Sequence, residues 1–137
     1  MSEENVRIIV DIYEAFARRD TEALLSLIDP EFEAYQTPLL PWGGEYKGQQ
    51  GLMSFATLLA GHVDAQVEPQ EFVEAGDRVA VIARTRGRVR ANGSEFDVRA
   101  VHVWTLKGEK VLRFEAYIDT PGMLRALGAT PNTSGQA

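Results

Sequence analysis

RVAVIARTRGRVR-ANG-SEFDVRAVHVWTL, residues 78–106, is the stretch on which the fold turns. Two runs of alternating side chains flank Asn92-Gly93, a dipeptide that closes β-hairpins because both residues tolerate positive φ. The period of two predicts strands over 78–90 and 95–106. Alternation also sorts the second strand into faces: Ala100, His102, Trp104 and Leu106 share one side, Val101, Val103 and Thr105 the other.

Moving outward, Lys107-Gly108-Glu109 makes a turn into a last strand, 110–119. There Phe114, Ala116 and Ile118 oppose Arg113, Glu115, Tyr117 and Asp119. Upstream, 67–74 reads as a further strand. Downstream, 121–127 suits a short helix ended by Gly128, and 131–137 is polar and aperiodic, as expected of a loose tail. Residues 1–130 are expected to form a single domain.

The N-terminal half has a different period. Val6, Ile9, Tyr13, Phe16 and Ala17 recur at helical spacing. Asp20 can cap a second helix carrying Leu24, Leu25, Leu27 and Ile28, which Asp29-Pro30 would stop. Residues 31–36 suggest a short strand. Two prolines and two glycines mark 37–44 as loop, although Leu39, Leu40 and Trp42 are apolar for that setting. Residues 48–60 predict a third helix buried through Leu52, Phe55, Leu58 and Leu59, with Gly61 at its C′ position. Helices followed by an antiparallel meander define an α+β domain with helices packed on one face of the sheet.

Composition narrows the function. The 137 residues are 45% hydrophobic and 25% charged, which are globular values. A net charge of -6 argues against nucleic acid, whose binding needs a basic face. Arg84, Arg86, Arg88 and Arg90 do alternate along one strand, and Arg99 can join them across the hairpin. A solvated or dimer-facing row paired with acids is favoured over an anion site. The absence of cysteine excludes thiolate metal sites and disulfides and is compatible with the cytoplasm. No apolar run approaches the roughly 20 residues of a membrane helix. The two histidines, His62 and His102, have no carboxylate neighbours at ligand spacing, so no metal is expected.

Several segments, in order, resemble one family. They are 10–16 (VDIYEAF) leading to Arg19-Asp20, 29–32 (DPEF), 46–48 (YKG), 72–81 (FVEAGDRVAV), 101–104 (VHVW) and 111–114 (VLRF). Together they are similar to the nuclear-transport-factor-2-like superfamily, in its SnoaL-like, ketosteroid-isomerase-related branch, across about residues 5–127. The resemblance implies a curved, mixed or antiparallel sheet wrapped as a cone over three N-terminal helices, an apolar pocket at the open end, and a homodimer through the sheet. It turns Trp104, Phe114, Ala116 and Ile118 into the cone, and with them Phe16 and Trp42 are expected to shape the cavity. Trp42 with Leu39 and Leu40 is either a lid or a loop packed on the third helix.

His102 falls where ketosteroid isomerases carry an oxyanion-binding aspartic acid and SnoaL-type cyclases a histidine. The aspartate bases of the two groups match Tyr35 and Ala116. The isomerases' oxyanion tyrosine matches Ile12, with Tyr13 one residue off and expected to face elsewhere. The implied function is proton transfer on a small apolar carbonyl compound, of isomerase, cyclase or hydratase type. His102 and Tyr35 would be its polar groups, and no cofactor is needed. The alternative is a non-catalytic small-ligand-binding dimer; an adaptor acting through the sheet or loops is a third reading.

Overall fold

The computed structural model describes residues 2–128. Its elements are α1 (Ser2–Ala17), α2 (Thr21–Ser26), β1 (Ile28–Gln36), β2 (Gly44–Lys47), α3 (Gly48–His62), β3 (Val63–Ala75), β4 (Arg78–Val89), β5 (Glu95–Lys107), β6 (Lys110–Ile118) and α4 (Thr120–Ala126). The strands form one mixed sheet in the order β2-β1-β6-β5-β4-β3. The β1–β6 contact is parallel and the other neighbours are antiparallel. The architecture is α+β, as the change of period implies. The expected tail, 131–137, lies outside the described residues.

The meander forms as its alternation predicts. The hairpin between β4 and β5 closes with Val89 N–H donating to Ser94 O (2.8 Å) and Gly93 N–H to Val89 O (2.8 Å). The turn therefore holds four residues, 90–93, and Gly93 takes the left-handed position at φ 72°. Inward residues of β5 (Phe96, Val98, Ala100, His102, Trp104, Leu106) are buried, and those of β4 and β6 follow the same phase.

The N-terminal half departs from expectation in several places, Leu58 among them, which is exposed rather than buried. Ile28 belongs to β1, pairing with Val111, and Asp29-Pro30 fall inside that strand rather than ending a helix. The β1 register slips between Ile28 and Glu33, and such irregular stretches admit a proline that cannot donate to the ladder. Gly61 lies within α3, which runs on to His62 before Val63 begins β3. Residues 44–47, expected to carry no strand, form the edge strand β2 against the end of β1.

α1 ends in a Schellman motif. Asp20 N–H donates to Ala15 O (2.9 Å) and Arg19 N–H to Phe16 O (3.1 Å). The C′ residue is Arg19, held at φ 59° where glycine is usual. Asp20 then caps α2 by accepting from Ala23 N–H at 3.1 Å, as its type and place suggest.

Candidate functional site

Between the inner sheet face and the helices lies a cavity of about 360 Å³. His102, Trp104, Phe114, Ala116, Ile118, Phe16 and Trp42 all line it, as do Ile12, Tyr13, Phe32 and Gln36. Its exposed rim includes Phe16, Arg19, Met53, Thr57, Asp64 and Arg90. The walls are mainly aliphatic and aromatic, so a polar group inside is desolvated and its hydrogen bonds are strengthened.

Among the described residues, tyrosine and tryptophan aside, the buried polar side chains are His102 and Gln36, at 7% and 4% exposure, and both face this cavity. His102 Nδ1 lies 2.6 Å from the Tyr13 hydroxyl. Trp104 Nε1–H donates to that same hydroxyl oxygen at 3.0 Å. The tautomer follows by counting protons. Burial pushes the His102 pKa down to about 4, so the imidazole is neutral at pH 7. Burial also pushes the Tyr13 hydroxyl above the usual phenol range, so it keeps its proton. The Tyr13 oxygen accepts from Trp104, and its proton has one acceptor within reach, His102 Nδ1. The chain therefore runs Trp104 N–H to Tyr13 O–H to His102 Nδ1, and the remaining proton of His102 sits on Nε2. Nε2 makes no protein hydrogen bond, and among the described residues no fully buried side-chain nitrogen or oxygen lacks a partner; Nε2 is thus open to the cavity.

Sequence reasoning misplaces Tyr13. It was expected to face away from the pocket; it is buried and stacked parallel to His102, with ring centroids 5.9 Å apart. Helical spacing carried the signal, since Ile9, Ile12 and Tyr13 share the buried side of α1. Its partners lie 89 and 91 residues away, and no local pattern reveals them.

Tyr35 is corrected in the opposite direction. β1 buries Phe32, Ala34 and Gln36, so Tyr35 points to the other face of the sheet. It pairs in register with Glu115, its ring lies 6.3 Å from that of Tyr117, and it does not line the cavity. It cannot act beside His102. Trp42 belongs to the wall: it is 1% exposed and its Nε1–H donates to Gln36 Oε1 at 3.2 Å. Leu40 is buried beneath the same loop, whereas Leu39 is exposed.

The carboxylates that attract notice in the sequence are engaged elsewhere. Glu115 accepts from Arg113 and Tyr117 on the outer face, and Asp119 caps α4 by accepting from Gly122 N–H at 3.0 Å. The arginine row is answered by acids: Arg84 by Asp97, Arg86 by Glu68 and Arg88 by Glu95. Arg90 instead donates to Ala60 O. Among the described residues no cluster of histidine and carboxylates could hold a metal ion, and no helix is long and apolar enough to cross a membrane.

Comparison with known proteins agrees with this fold. The SnoaL-like domain family model matches residues 9–114. An NTF2-like protein from Burkholderia xenovorans is 30% identical, with a TM-score of 0.85 over 93% of this chain and 98% of its own. An NTF2-like protein of unknown function from Burkholderia pseudomallei is 28% identical, with a TM-score of 0.85 over 94% and 100%. TerC, co-crystallised with polyporic acid, is 27% identical, with a TM-score of 0.83 over 92% and 99%. No curated protein sequence matches the chain. With more than half its length matched by one family model and its fold shared over more than nine-tenths of the chain with these structures, the chain belongs to the SnoaL-like domain family, within the NTF2-like superfamily.

Proposed function

We propose that the cavity binds a small, largely apolar carbonyl compound, with His102 Nε2–H donating to its carbonyl oxygen. The observation that carries this is the relay from Trp104 through Tyr13, which leaves His102 Nε2–H as a fixed donor on a mainly apolar wall. A neutral imidazole polarises a carbonyl without bringing a charge into the cavity. The reaction such a donor assists is proton transfer next to the carbonyl, of the isomerase or cyclase kind, without a cofactor. TerC's co-crystallisation with polyporic acid supports an organic ligand for this fold.

A second reading, binding without turnover, is favoured by one observation. The carboxylates among the lining residues are Asp20 and Asp64. Asp20 is occupied as the cap of α2, and Asp64 is exposed at the rim. Neither takes the part of a buried base.

α-Tetralone separates the two. Calorimetry gives its affinity, and NMR in D2O follows exchange of the protons next to its carbonyl. His102→Ala is expected to weaken binding about tenfold, the worth of a hydrogen bond in a dry site. Faster exchange in the wild type that is lost in His102→Gln, with binding retained, supports proton transfer. No acceleration by the wild type leaves the binding module; acceleration unchanged in His102→Gln removes His102 as the catalytic group.

We further propose a single domain, a cytoplasmic location and a homodimer through the outer sheet face; the expected domain end, residue 130, lies outside the described residues. The chain has no cysteine that a reducing compartment would hold unpaired. Val73, Val101 and Tyr117 are exposed on the outer face, the last two directly paired in register. Val101→Glu is expected to yield monomers by light scattering.

A further inference from the structure

We propose that Gln36 is a second ligand-positioning residue, and that the ligand carries two hydrogen-bond-accepting oxygens on opposite edges of an apolar body. The proposal rests on the binding of a carbonyl compound at His102 and adds a second contact to it.

Three observations build the site. First, Gln36 is 4% exposed and lines the cavity. Second, its amide has one allowed orientation. Indole N–H is a donor only, so the atom facing Trp42 Nε1 at 3.2 Å is the amide oxygen. The NH2 group is then directed away from Trp42. Among the described residues it has no hydrogen-bond partner and no fully buried side-chain nitrogen is orphaned, so it opens onto the cavity. A buried amide that offers only N–H selects for an acceptor.

Third, the sheet register sets Gln36 and His102 on either side of a gap. Gln36 pairs with Ala116, and Ala116 pairs with His102, so the three form one inward-facing row across β1, β6 and β5. Two inter-strand spacings separate the outer two by roughly 10 Å at Cα. Between them stands a single methyl group. A flat molecule lying over Ala116 meets His102 Nε2–H at one edge and Gln36 Nε2–H at the other. The sequence match that puts Ala116 where cyclases keep a base thus marks open space flanked by two donors. A molecule with one oxygen would leave one of the donors unanswered, and a hydrocarbon would leave both.

The probes are 1,4-naphthoquinone with two such oxygens, α-tetralone with one, and naphthalene with none. Affinities are measured by calorimetry on the full chain. Naphthoquinone is expected to bind about tenfold more tightly than tetralone, the worth of one further hydrogen bond in a dry site. Gln36→Met is expected to remove that preference, weakening naphthoquinone about tenfold and tetralone less than twofold. In the wild type, the Gln36 side-chain NH2 resonances are expected to shift when naphthoquinone binds. That measurement decides the matter even if Gln36→Met does not fold.

Equal weakening of both ketones, or of neither, in Gln36→Met overturns the role of Gln36. So do NH2 resonances that naphthoquinone leaves unmoved. If neither ketone binds more tightly than naphthalene, the carbonyl pocket itself is refuted, and this proposal with it.

Discussion

On each face of β5 and β6 a tyrosine hydroxyl, that of Tyr13 from α1 inside and that of Tyr117 outside, bonds to a titratable partner, and the two pairs behave oppositely. Inside, Tyr13 and His102 meet at 2.6 Å; outside, Tyr117 donates to Glu115 at 2.5 Å. The lengths are nearly the same. On the inner face burial decides: it keeps the imidazole neutral and the phenol protonated. On the outer face the local bonds decide. The hydroxyl of Tyr117, with Arg113, holds Glu115 below the usual carboxylate range, and Glu115 holds Tyr117 above the usual phenol range. Water screens that outer cluster, and each group has alternatives if one bond is lost. The inner chain has none. Geometry alone would rank the two pairs as equals; desolvation separates a directed donor from a surface contact.

Removing one hydroxyl from each face tests that difference most strongly. Tyr13→Phe leaves the Trp104 N–H and the His102 Nδ1 without partners in an apolar wall. At about 2 kcal/mol for each orphaned group, the loss of stability is expected to be about 4 kcal/mol. Tyr117→Phe removes a bond of nearly the same length at a 49% exposed residue, and its effect is expected to stay within about 0.5 kcal/mol. Urea denaturation of the two variants reads both numbers. Comparable losses would refute the contrast between the faces.

pH gives the next largest effect. The His102 pKa falls from 6.5 in the unfolded chain to about 4 in the fold. Between those values the unfolded chain binds the proton and the native state does not, so lowering the pH favours unfolding. The stability is intact above about pH 6.5, declines as the pH falls toward 4, and the decline levels off below that. The drop by pH 4 is expected to be about 3 kcal/mol. Carboxylates titrate in the lower part of this window, so the measure is the difference between wild type and His102→Gln. That difference should narrow by this amount between pH 7 and pH 4. A constant difference would mean that His102 is not held neutral by burial.

The inner row was legible in the sequence wherever strands alternate without interruption. The period of β5 and β6 sets His102 and Trp104 on one face and Phe114, Ala116 and Ile118 on another, the family resemblance turns those faces inward, and the structure puts all five on the cavity wall. The errors fall where the period breaks or a contact is distant. β1 slips register between Ile28 and Glu33, and matching it residue by residue to relatives placed Tyr35 inside by one position. Alternation from Phe32 through Ala34 points instead to Gln36. β2 is only four residues at the sheet edge, too short for a period. Val63–Gln66, the unforeseen start of β3, follows α3 directly and is held by its partners Arg86–Val89 on β4. There Gly87 has no Cβ, and one added would lie 2.1 Å from Asp64 O, so the close approach depends on that glycine. Tyr13 shows the other limit: helical spacing buries it, but only the folded chain brings His102 and Trp104 to its hydroxyl.

The smallest expected effect sharpens the boundary between the faces. Tyr35 and Gln36 are adjacent in sequence, and strand alternation sends them to opposite sides of β1. Tyr35→Phe removes a hydroxyl that reaches neither His102 nor the cavity, so α-tetralone should bind within about twofold of wild type. The same assay should register the tenfold loss in His102→Ala. A large effect of Tyr35→Phe on binding would mean that β1 is one residue out of register in solution. That slip would exchange the faces of Phe32, Ala34 and Gln36 with those of Glu33 and Tyr35, burying the Glu33 carboxylate that now pairs with Arg113 at 2.8 Å. A stable, monodisperse wild type argues against such a slip, because an ionised carboxylate on an apolar wall without its guanidinium is far costlier than the single hydroxyl that Tyr35 would gain.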